Sequence, residues 1–325
     1  MRRPRFTLSQ ASSVQHCISR IVAGEFLLAQ DPEKDALRGM MRRQAAFCGV
    51  QIVTYCLMSN HFHILTRIPV QPPISDSELL GRVEAFYGQT APESLRIAES
   101  ISIGGAVREQ ERNRLLKRMN NVSVFMKELK QTFSVWYNKK HKRFGTLWSE
   151  RFRNVLVEDR PEVVQIVAAY IDLNPVRAGL VQDPSNYRFC GYAEAAVGNA
   201  LAIGGIESFT GAEGGEWRRV VGRYREALFN KGASDGSDEK PGIPLEKVRE
   251  IWKSNGELSE ADALRLKIRY MKDGAVLGSR AFVDEVFRTF RDRFGPRRTT
   301  GARPMRHLPF KGLFTLRDLR VSAIE

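Results

Sequence analysis

The sequence Gln51-Ile-Val-Thr-Tyr-Cys-Leu-Met-Ser-Asn-His-Phe-His-Ile-Leu-Thr66 contains two runs of β-branched and apolar residues separated by a Ser-Asn pair. This pattern predicts two β-strands. Because side chains alternate across a strand, His61 and His63 should face one side and Phe62 the other. Two imidazoles on one face can bind a single cation, and two surface or core histidines are the alternative interpretation. The pattern therefore indicates a candidate metal site.

A helix is predicted between Asp159 and Pro175. Asp159 is an N-cap candidate, Pro161 lies in the first turn, and Glu162 follows the cap by three residues before an apolar run. The residue before a proline is pushed out of the helical region, so the helix should close at Pro175.

Tyr170 and Asn174 lie four residues apart near the carboxyl end of this predicted helix, and therefore on the same face. They offer a phenol nucleophile beside a neutral oxygen ligand. A tyrosine that packs its ring in the core, with its hydroxyl at the rim, is the alternative interpretation.

Three motifs in register resemble one known family. The chain is similar to the REP-associated tyrosine transposases of the HUH single-tyrosine transposase superfamily from about Val14 to about Tyr192. The motifs are Leu57-Met-Ser-Asn-His-Phe-His-Ile-Leu65, Phe144-Gly-Thr-Leu-Trp-Ser-Glu-Arg-Phe152 and Tyr170-Ile-Asp-Leu-Asn-Pro-Val-Arg-Ala-Gly-Leu-Val181.

The resemblance implies that His61, His63 and Asn174 bind a divalent cation, Mg²⁺ or Mn²⁺, and that Tyr170 is the nucleophile. It implies a metal-dependent single-strand DNA endonuclease and strand transferase that nicks and rejoins DNA next to short hairpins through a 5′-phosphotyrosine intermediate. Two alternatives stay open. One is a non-catalytic hairpin-DNA-binding protein derived from a transposase, and the other is a relaxase-type rolling-circle nickase.

The charge distribution agrees with a DNA partner. The formal net charge is +14, and the segment from Arg108 to Arg153 carries 13 Lys and Arg against 4 Asp and Glu. Arg288 to Arg320 carries 10 against 2, which leaves the rest of the chain with a net charge of −3. The positive charge is therefore localised, as a surface that follows a phosphate backbone requires. A solvated charged face is the alternative for each residue.

Candidate DNA contacts lie mainly in the first basic segment. Phosphate contacts are predicted from its densest charged run and from arginines of the later motifs, namely Lys139, Lys140, Lys142, Arg143, Arg151 and Arg177. A helix is predicted over Ser123 to His141, and Tyr137, Phe144 and Trp148 fall outside its apolar stripe or in the loop that follows it. Stacking on DNA bases is one prediction for these three rings, and core packing is the alternative.

The predicted fold class is α+β, with a ferredoxin-like or RRM-like antiparallel sheet, helices on its faces and a mainly helical C-terminal region. We predict a transposase-type domain over 1–195 with a partly helical insertion at about 69–121, a connecting segment and linker over 196–242, and a helical, basic region over 243–325. Three predicted helices, Pro244 to Lys253, Ser259 to Met271 and Ser279 to Phe294, form either a helix-turn-helix-like DNA reader or a plain helical cap.

Nothing in the sequence resembles a signal peptide or an apolar run that could span a bilayer. The four cysteines show no Cys-x-x-Cys spacing, which favours a reducing cytoplasm. The expected partners are single-stranded and hairpin DNA and no membrane, with the protein a monomer or a homodimer.

Overall fold

The computed structural model describes residues 6, 12–70, 73–211, 217–229, 260–264, 266–273, 275–305 and 308–317. In the first half of the chain the elements are β1 (Ser13–Arg20), α1 (Asp31–Cys48), β2 (Gln51–Leu57), β3 (His61–Ile68), α2 (Asp76–Tyr87), α3 (Pro92–Ile103), α4 (Gly105–Leu116), α5 (Val122–Lys140) and β4 (Arg153–Val157). Then follow α6 (Pro161–Asp172), α7 (Asn174–Arg177), α8 (Gly191–Ala196), α9 (Ala200–Thr210), α10 (Trp217–Phe229), α11 (Glu260–Leu264), α12 (Arg269–Asp273), β5 (Val276–Gly278), α13 (Arg280–Thr289), β6 (Arg303–Pro304) and β7 (Phe314–Thr315).

The sheet has a ferredoxin-like centre. The chain order β1, α1, β2, β3, α5, β4 gives the spatial order β2-β3-β1-β4, in which every neighbouring pair is antiparallel. The predicted α+β class with an antiparallel sheet is confirmed. The strand that carries the two histidines, β3, lies between β2 and β1.

The C-terminal region carries helices α11 to α13, as predicted, and it also adds three strands to the sheet. β5 lies parallel to β4, and β7 and then β6 continue the sheet beyond it. These strands have only two or three residues, too few to produce an alternating pattern in the sequence. The predicted helices from Ser259 and from Ser279 correspond to α11 with α12 and to α13. The predicted helix Pro244 to Lys253 and most of the predicted linker lie outside the described residues.

Strand alternation divides the core into two layers. Leu65 of β3 packs with α6, α8, α9 and α10 on one face of the sheet, and Phe62 and Ile64 pack with α1 and α5 on the other. His61 and His63 share the face of Leu65, as alternation requires. This puts the two histidines on the same side of the sheet as α6.

α1 and α6 begin and end where local residue chemistry allows. α1 carries Pro32 in its first turn and ends at Gly49, whose φ of 67° is the left-handed conformation that favours glycine. α6 begins at Pro161, but Asp159 does not cap it as predicted; the N-cap is Arg160 without a side-chain bond. Asp159 instead pairs with Arg67 at 2.7 Å. An ion pair with β3 therefore replaces the predicted cap.

The insertion between β3 and α5 is helical. Three helices, α2, α3 and α4, lie in the segment predicted to be a partly helical insertion. Asp76 at the start of α2 pairs with both Arg108 and Arg112 of α4, at 2.6 Å in each case. Two arginines of the first basic segment thus have an ion-pair partner inside the insertion.

Among the described residues, no helix combines the length and the apolar character needed to cross a bilayer. All four cysteines are buried and unbridged.

Candidate active site

One cavity of about 800 Å³ lies where the carboxyl end of α6 meets the first residues of β3. Its wall includes all four residues predicted to perform chemistry, which are His61, His63, Tyr170 and Asn174. The structure therefore brings together, within one chain, side chains more than one hundred residues apart in sequence. Their chemical roles stay predictions.

The two histidines of β3 line this cavity with their rings at nearly right angles. The ring centroids of His61 and His63 are 5.1 Å apart and the ring planes make an angle of 79°. Nδ1 of His61 lies 2.7 Å from Oδ1 of Asn60. Burial, followed by the charge of Arg20, lowers the pKa of His61 to about 4, and burial holds the pKa of His63 well below its usual value. Both rings are therefore neutral at pH 7, the form that can act as a ligand.

Tyr170 and Asn174 reach the same cavity from the end of α6 and the start of α7. The Tyr170 ring is 1% exposed, and its centroid is 6.4 Å from that of His63. Nδ2 of Asn174 donates to the carbonyls of Tyr170 and Ile171, at 3.3 and 3.0 Å. Because the amide nitrogen is engaged with helix carbonyls, Oδ1 is the atom of Asn174 available to a ligand.

Pro175 does not end helix α6, contrary to the prediction. Helix α6 is interrupted at Leu173, and the short helix α7 starts at Asn174. Pro175 lies in the first turn of α7, where proline is tolerated. Arg177 at the end of α7 donates to the carbonyl of Tyr170 and, at 2.6 Å, to that of Leu264. The predicted phosphate-binding residue Arg177 thus lines the cavity with its guanidinium held by backbone oxygens.

The cavity is strongly basic. Among the described residues, five cationic side chains line it against one carboxylate, that of Glu150: Arg20, Arg153, Arg177, Lys267 and Lys272. The carboxylate of Glu150 is paired with Arg153 at 2.7 Å. A net positive wall in a partly enclosed space attracts a phosphate-bearing ligand.

Sequence reasoning missed His16 of β1. Its ring is buried, its centroid lies 5.0 Å from that of His63, and the two rings share a hydrogen bond of 2.8 Å. A polar residue within an apolar strand was the available signal, because the ferredoxin-like order sets β1 beside β3. The sequence does not reveal the strand register, which pairs His16 with Leu65 and Ile18 with His63. Lys267 and Lys272, contributed from beyond the predicted linker, gave no signal.

The predicted phosphate contacts differ in whether they form ion pairs. Lys139, Lys142 and Arg151 are exposed, and none forms an ion pair with another described residue. Lys140 pairs with Glu33 at 2.7 Å, and Arg143 pairs with Glu25 at 3.1 Å. The first three residues are therefore the ones available to DNA without breaking an internal contact.

The three candidate stacking rings also differ in exposure. Phe144 is 93% exposed, whereas Tyr137 and Trp148 are 7% and 8% exposed. The Trp148 ring packs on Phe62 and Phe133, and its indole N–H donates to Oγ of Ser134 at 2.8 Å. Covered faces and a satisfied N–H leave Trp148 a packing role, contrary to its predicted contact with DNA.

The donor set is compatible with a divalent cation. Two neutral imidazoles and an amide oxygen provide mixed nitrogen and oxygen ligation, and Mn²⁺ accepts both types of donor. The described residues hold no group of three or more His, Cys, Asp or Glu side chains that could bind a metal on their own. A cation here would therefore depend on Asn174 and on oxygens from water or substrate.

No protein-family model and no curated protein matches this sequence. Among solved structures, the chain is similar to one described as the REP-associated tyrosine transposase bound to a REP hairpin. The TM-score is 0.36 and the sequence identity 13%, over 61% of this chain and 87% of that chain.

Proposed function

We propose that this protein is a divalent-cation-dependent enzyme that nicks single-stranded DNA beside short hairpins and rejoins the ends through Tyr170. The observation that carries the proposal is the shared cavity, in which Tyr170 and the His61–His63 pair lie among five cationic side chains. The three motifs in register, which resemble those of tyrosine transposases, support the same reading. DNA is the partner of this proposal, and the proposed site is built from residues that line one cavity of a single chain.

The reaction exchanges one phosphodiester for another. The Tyr170 oxygen forms a bond to phosphorus while the bond from phosphorus to the 3′ oxygen breaks, which leaves a 5′-phosphotyrosine and a 3′-hydroxyl. The tyrosine gives up one proton and the departing oxygen takes one, so no ATP is required. A Mg²⁺ or Mn²⁺ ion held by His61, His63 and Asn174 would polarise a non-bridging phosphate oxygen when bound.

The chain's own cations assist this step. The Arg177 guanidinium lies 4.1 Å from the centroid of the Tyr170 ring, where a positive charge favours the developing phenolate. Lys267, Lys272 and Arg20 offer further charge to the phosphates on either side of the bond that breaks. These groups act most strongly in a cavity from which water is partly excluded.

The test is a cleavage assay on a hairpin oligonucleotide with single-stranded flanks, in the presence of Mn²⁺. Wild type should give a nick and a protein–DNA adduct stable to detergent, and peptide mass spectrometry should find the nucleotide on Tyr170. Tyr170→Phe should give neither product. Tyr87→Phe is the matched control, because Tyr87 lies on α2 in the other core layer and accepts a bond from Arg118.

The outcomes separate the alternatives. Tight hairpin binding by wild type without any nick in Mg²⁺ or Mn²⁺ would favour the non-catalytic DNA-binding protein. Nicking of a double-stranded origin in preference to hairpin flanks would favour the relaxase-type nickase. Equal cleavage by Tyr170→Phe and wild type would overturn the proposal.

A further inference from the structure

His16 forms a buried link between the C-terminal region and His63. Its Nδ1 lies 2.9 Å from the carbonyl oxygen of Met271 in α12, and its Nε2 lies 2.8 Å from Nδ1 of His63. The His16 side chain is fully buried. Its strand neighbours on the same face, Val14 and Ile18, are apolar, so an aliphatic residue would satisfy packing at position 16. A histidine there has a use beyond filling space.

The positions of the protons in this link follow from the chemistry of its ends. A carbonyl oxygen only accepts, so Nδ1 of His16 must carry the hydrogen that points to Met271. The ring is fully buried and its two partners, the Met271 carbonyl and the His63 imidazole, carry no negative charge, so the ring is neutral and leaves a lone pair on Nε2. Nδ1 of His63 must then be the donor to that lone pair. The lone pair of His63 is consequently on Nε2.

We propose that His16 is a positioning residue, which fixes His63 in the tautomer with its hydrogen on Nδ1 and thereby presents the Nε2 lone pair to a divalent cation in the cavity. This inference rests on the proposed function, in which His63 is a cation ligand. Asn60 gives His61 the same arrangement, because its Oδ1 lies 2.7 Å from Nδ1 of His61. Outer partners that orient a histidine in this way raise the metal affinity of a site.

Two substitutions separate the hydrogen bond from the volume of the ring. His16→Phe keeps a planar ring but removes the acceptor for His63. His16→Gln restores an oxygen acceptor near the position of Nε2. Urea unfolding of each variant measures the folded fraction, and only folded protein enters the comparison.

The first measurement needs no metal. Long-range ¹H–¹⁵N correlation spectra of the cation-free protein report which nitrogen of His63 carries the hydrogen. Wild type should show it on Nδ1, His16→Gln should match wild type, and His16→Phe should show a mixture of both tautomers. Because wild type alone tests the assignment, the inference stays falsifiable even if a variant fails to fold.

The second measurement is the affinity for Mn²⁺, which is determined by calorimetry. His16→Phe should weaken binding by about 10- to 100-fold, the usual effect of removing such a partner, and His16→Gln should recover most of it. A His63 hydrogen on Nε2 in wild type would overturn the inference. Unchanged tautomer and affinity in His16→Phe would overturn it as well, because His16 would then only pack.

Failure of the proposed function has a different signature. A wild-type protein with the expected tautomer but with neither Mn²⁺ binding nor Tyr170-dependent cleavage would overturn the proposed function and the cation part of this inference together. A wild-type protein that cleaves through Tyr170 but carries the His63 hydrogen on Nε2 would overturn this inference alone.

Discussion

The guanidinium of Arg177 lies over the ring of Tyr170, 4.1 Å from its centroid, and donates a hydrogen bond to the carbonyl of the same residue. One arginine therefore touches both the ring and the backbone of the proposed nucleophile. Burial lowers the pKa of Arg177 from its usual value, and an arginine stays charged in spite of such a shift. The charge is thus held next to the phenol by geometry that only a planar side chain provides.

Arg177→Lys should slow DNA cleavage by about tenfold or more, equivalent to ~1.4 kcal/mol, while hairpin binding stays close to wild type. Lysine keeps the charge but loses the planar fork that reaches two carbonyls, so the free energy of unfolding should fall by about 1 to 3 kcal/mol. Arg188→Lys is the matched control, because Arg188 lies 5.1 Å from the Phe189 ring on the surface. Full cleavage by Arg177→Lys would contradict this role.

His61→Ala and His63→Ala should each abolish cleavage and leave hairpin binding largely intact. The histidines are proposed to hold the cation, whereas affinity for DNA comes mainly from charged contacts elsewhere. Binding is measured by fluorescence anisotropy and cleavage on denaturing gels. Normal cleavage by either variant would mean that the cation site is wrongly assigned.

Ion pairing divides the basic run into two pairs of equal charge. Lys139→Ala with Lys142→Ala should lower the slope of log affinity against log salt by roughly 1.4, since each lost phosphate contact on single strands contributes about 0.7. Lys140→Ala with Arg143→Ala removes the same charge but also breaks ion pairs with Glu33 and Glu25. That second pair should change the slope less and lower the free energy of unfolding more. A larger change of slope in Lys140→Ala with Arg143→Ala than in Lys139→Ala with Lys142→Ala would contradict the prediction.

Phe144→Ala should weaken binding to the single-stranded flank by about 1 to 3 kcal/mol, the usual contribution of one stacked base. The ring is 93% exposed, so the free energy of unfolding should change by less than about 0.5 kcal/mol. Trp148→Ala is the contrasting variant, because a buried ring should cost about 3 to 5 kcal/mol of stability. Unchanged affinity in Phe144→Ala would show that this ring does not contact DNA.

Glu33 should make stability depend on pH. Burial raises the pKa of Glu33, but hydrogen bonds from Lys140 and His141, at 2.7 and 3.0 Å, outweigh it and the net pKa is lowered. A carboxylate with a lowered folded-state pKa stabilises the protein above its unfolded-state pKa, and this stabilisation is lost as the pH falls through the folded-state pKa.

Glu33→Gln should therefore lower the free energy of unfolding by about 1 to 3 kcal/mol at pH 7, and the deficit should shrink as the pH falls below about 4. Urea unfolding of wild type and Glu33→Gln at pH 7, 5 and 3 measures the difference in their free energies of unfolding. A deficit that does not change with pH would mean that the charge of Glu33 contributes nothing.

Local signals in the sequence predicted much of the fold. Pro32 and Gly49 are local signals for the two ends of α1, and the strands around the His61–His63 pair follow from their β-branched composition. Helical spacing predicted that Tyr170 and Asn174 lie close together, and both line the same cavity although α6 ends before Asn174. These features depend on a few neighbouring residues, which is what a sequence displays directly.

Features that depend on distant contacts were not predictable. The role of His16 depends on strand register, the burial of Trp148 on how its loop folds back onto α5, and the salt bridge of Asp159 on a partner 92 residues away. The three C-terminal strands owe their existence to the open edge of β4, since segments of two or three residues have no pattern of their own. Tertiary contacts decided each of these cases.

The parallel pairing of β5 with β4 has a consequence for how this chain tolerates insertions and deletions. Leu156 pairs with Val276, and only a few residues earlier the carbonyl of Met271 receives the His16 hydrogen. Because strand pairing fixes one end of the connector between positions 271 and 276 and the hydrogen bond to His16 fixes the other, a residue added or removed within it should displace the Met271 carbonyl from His16. The spacing of this connector is therefore constrained by a histidine 255 residues away.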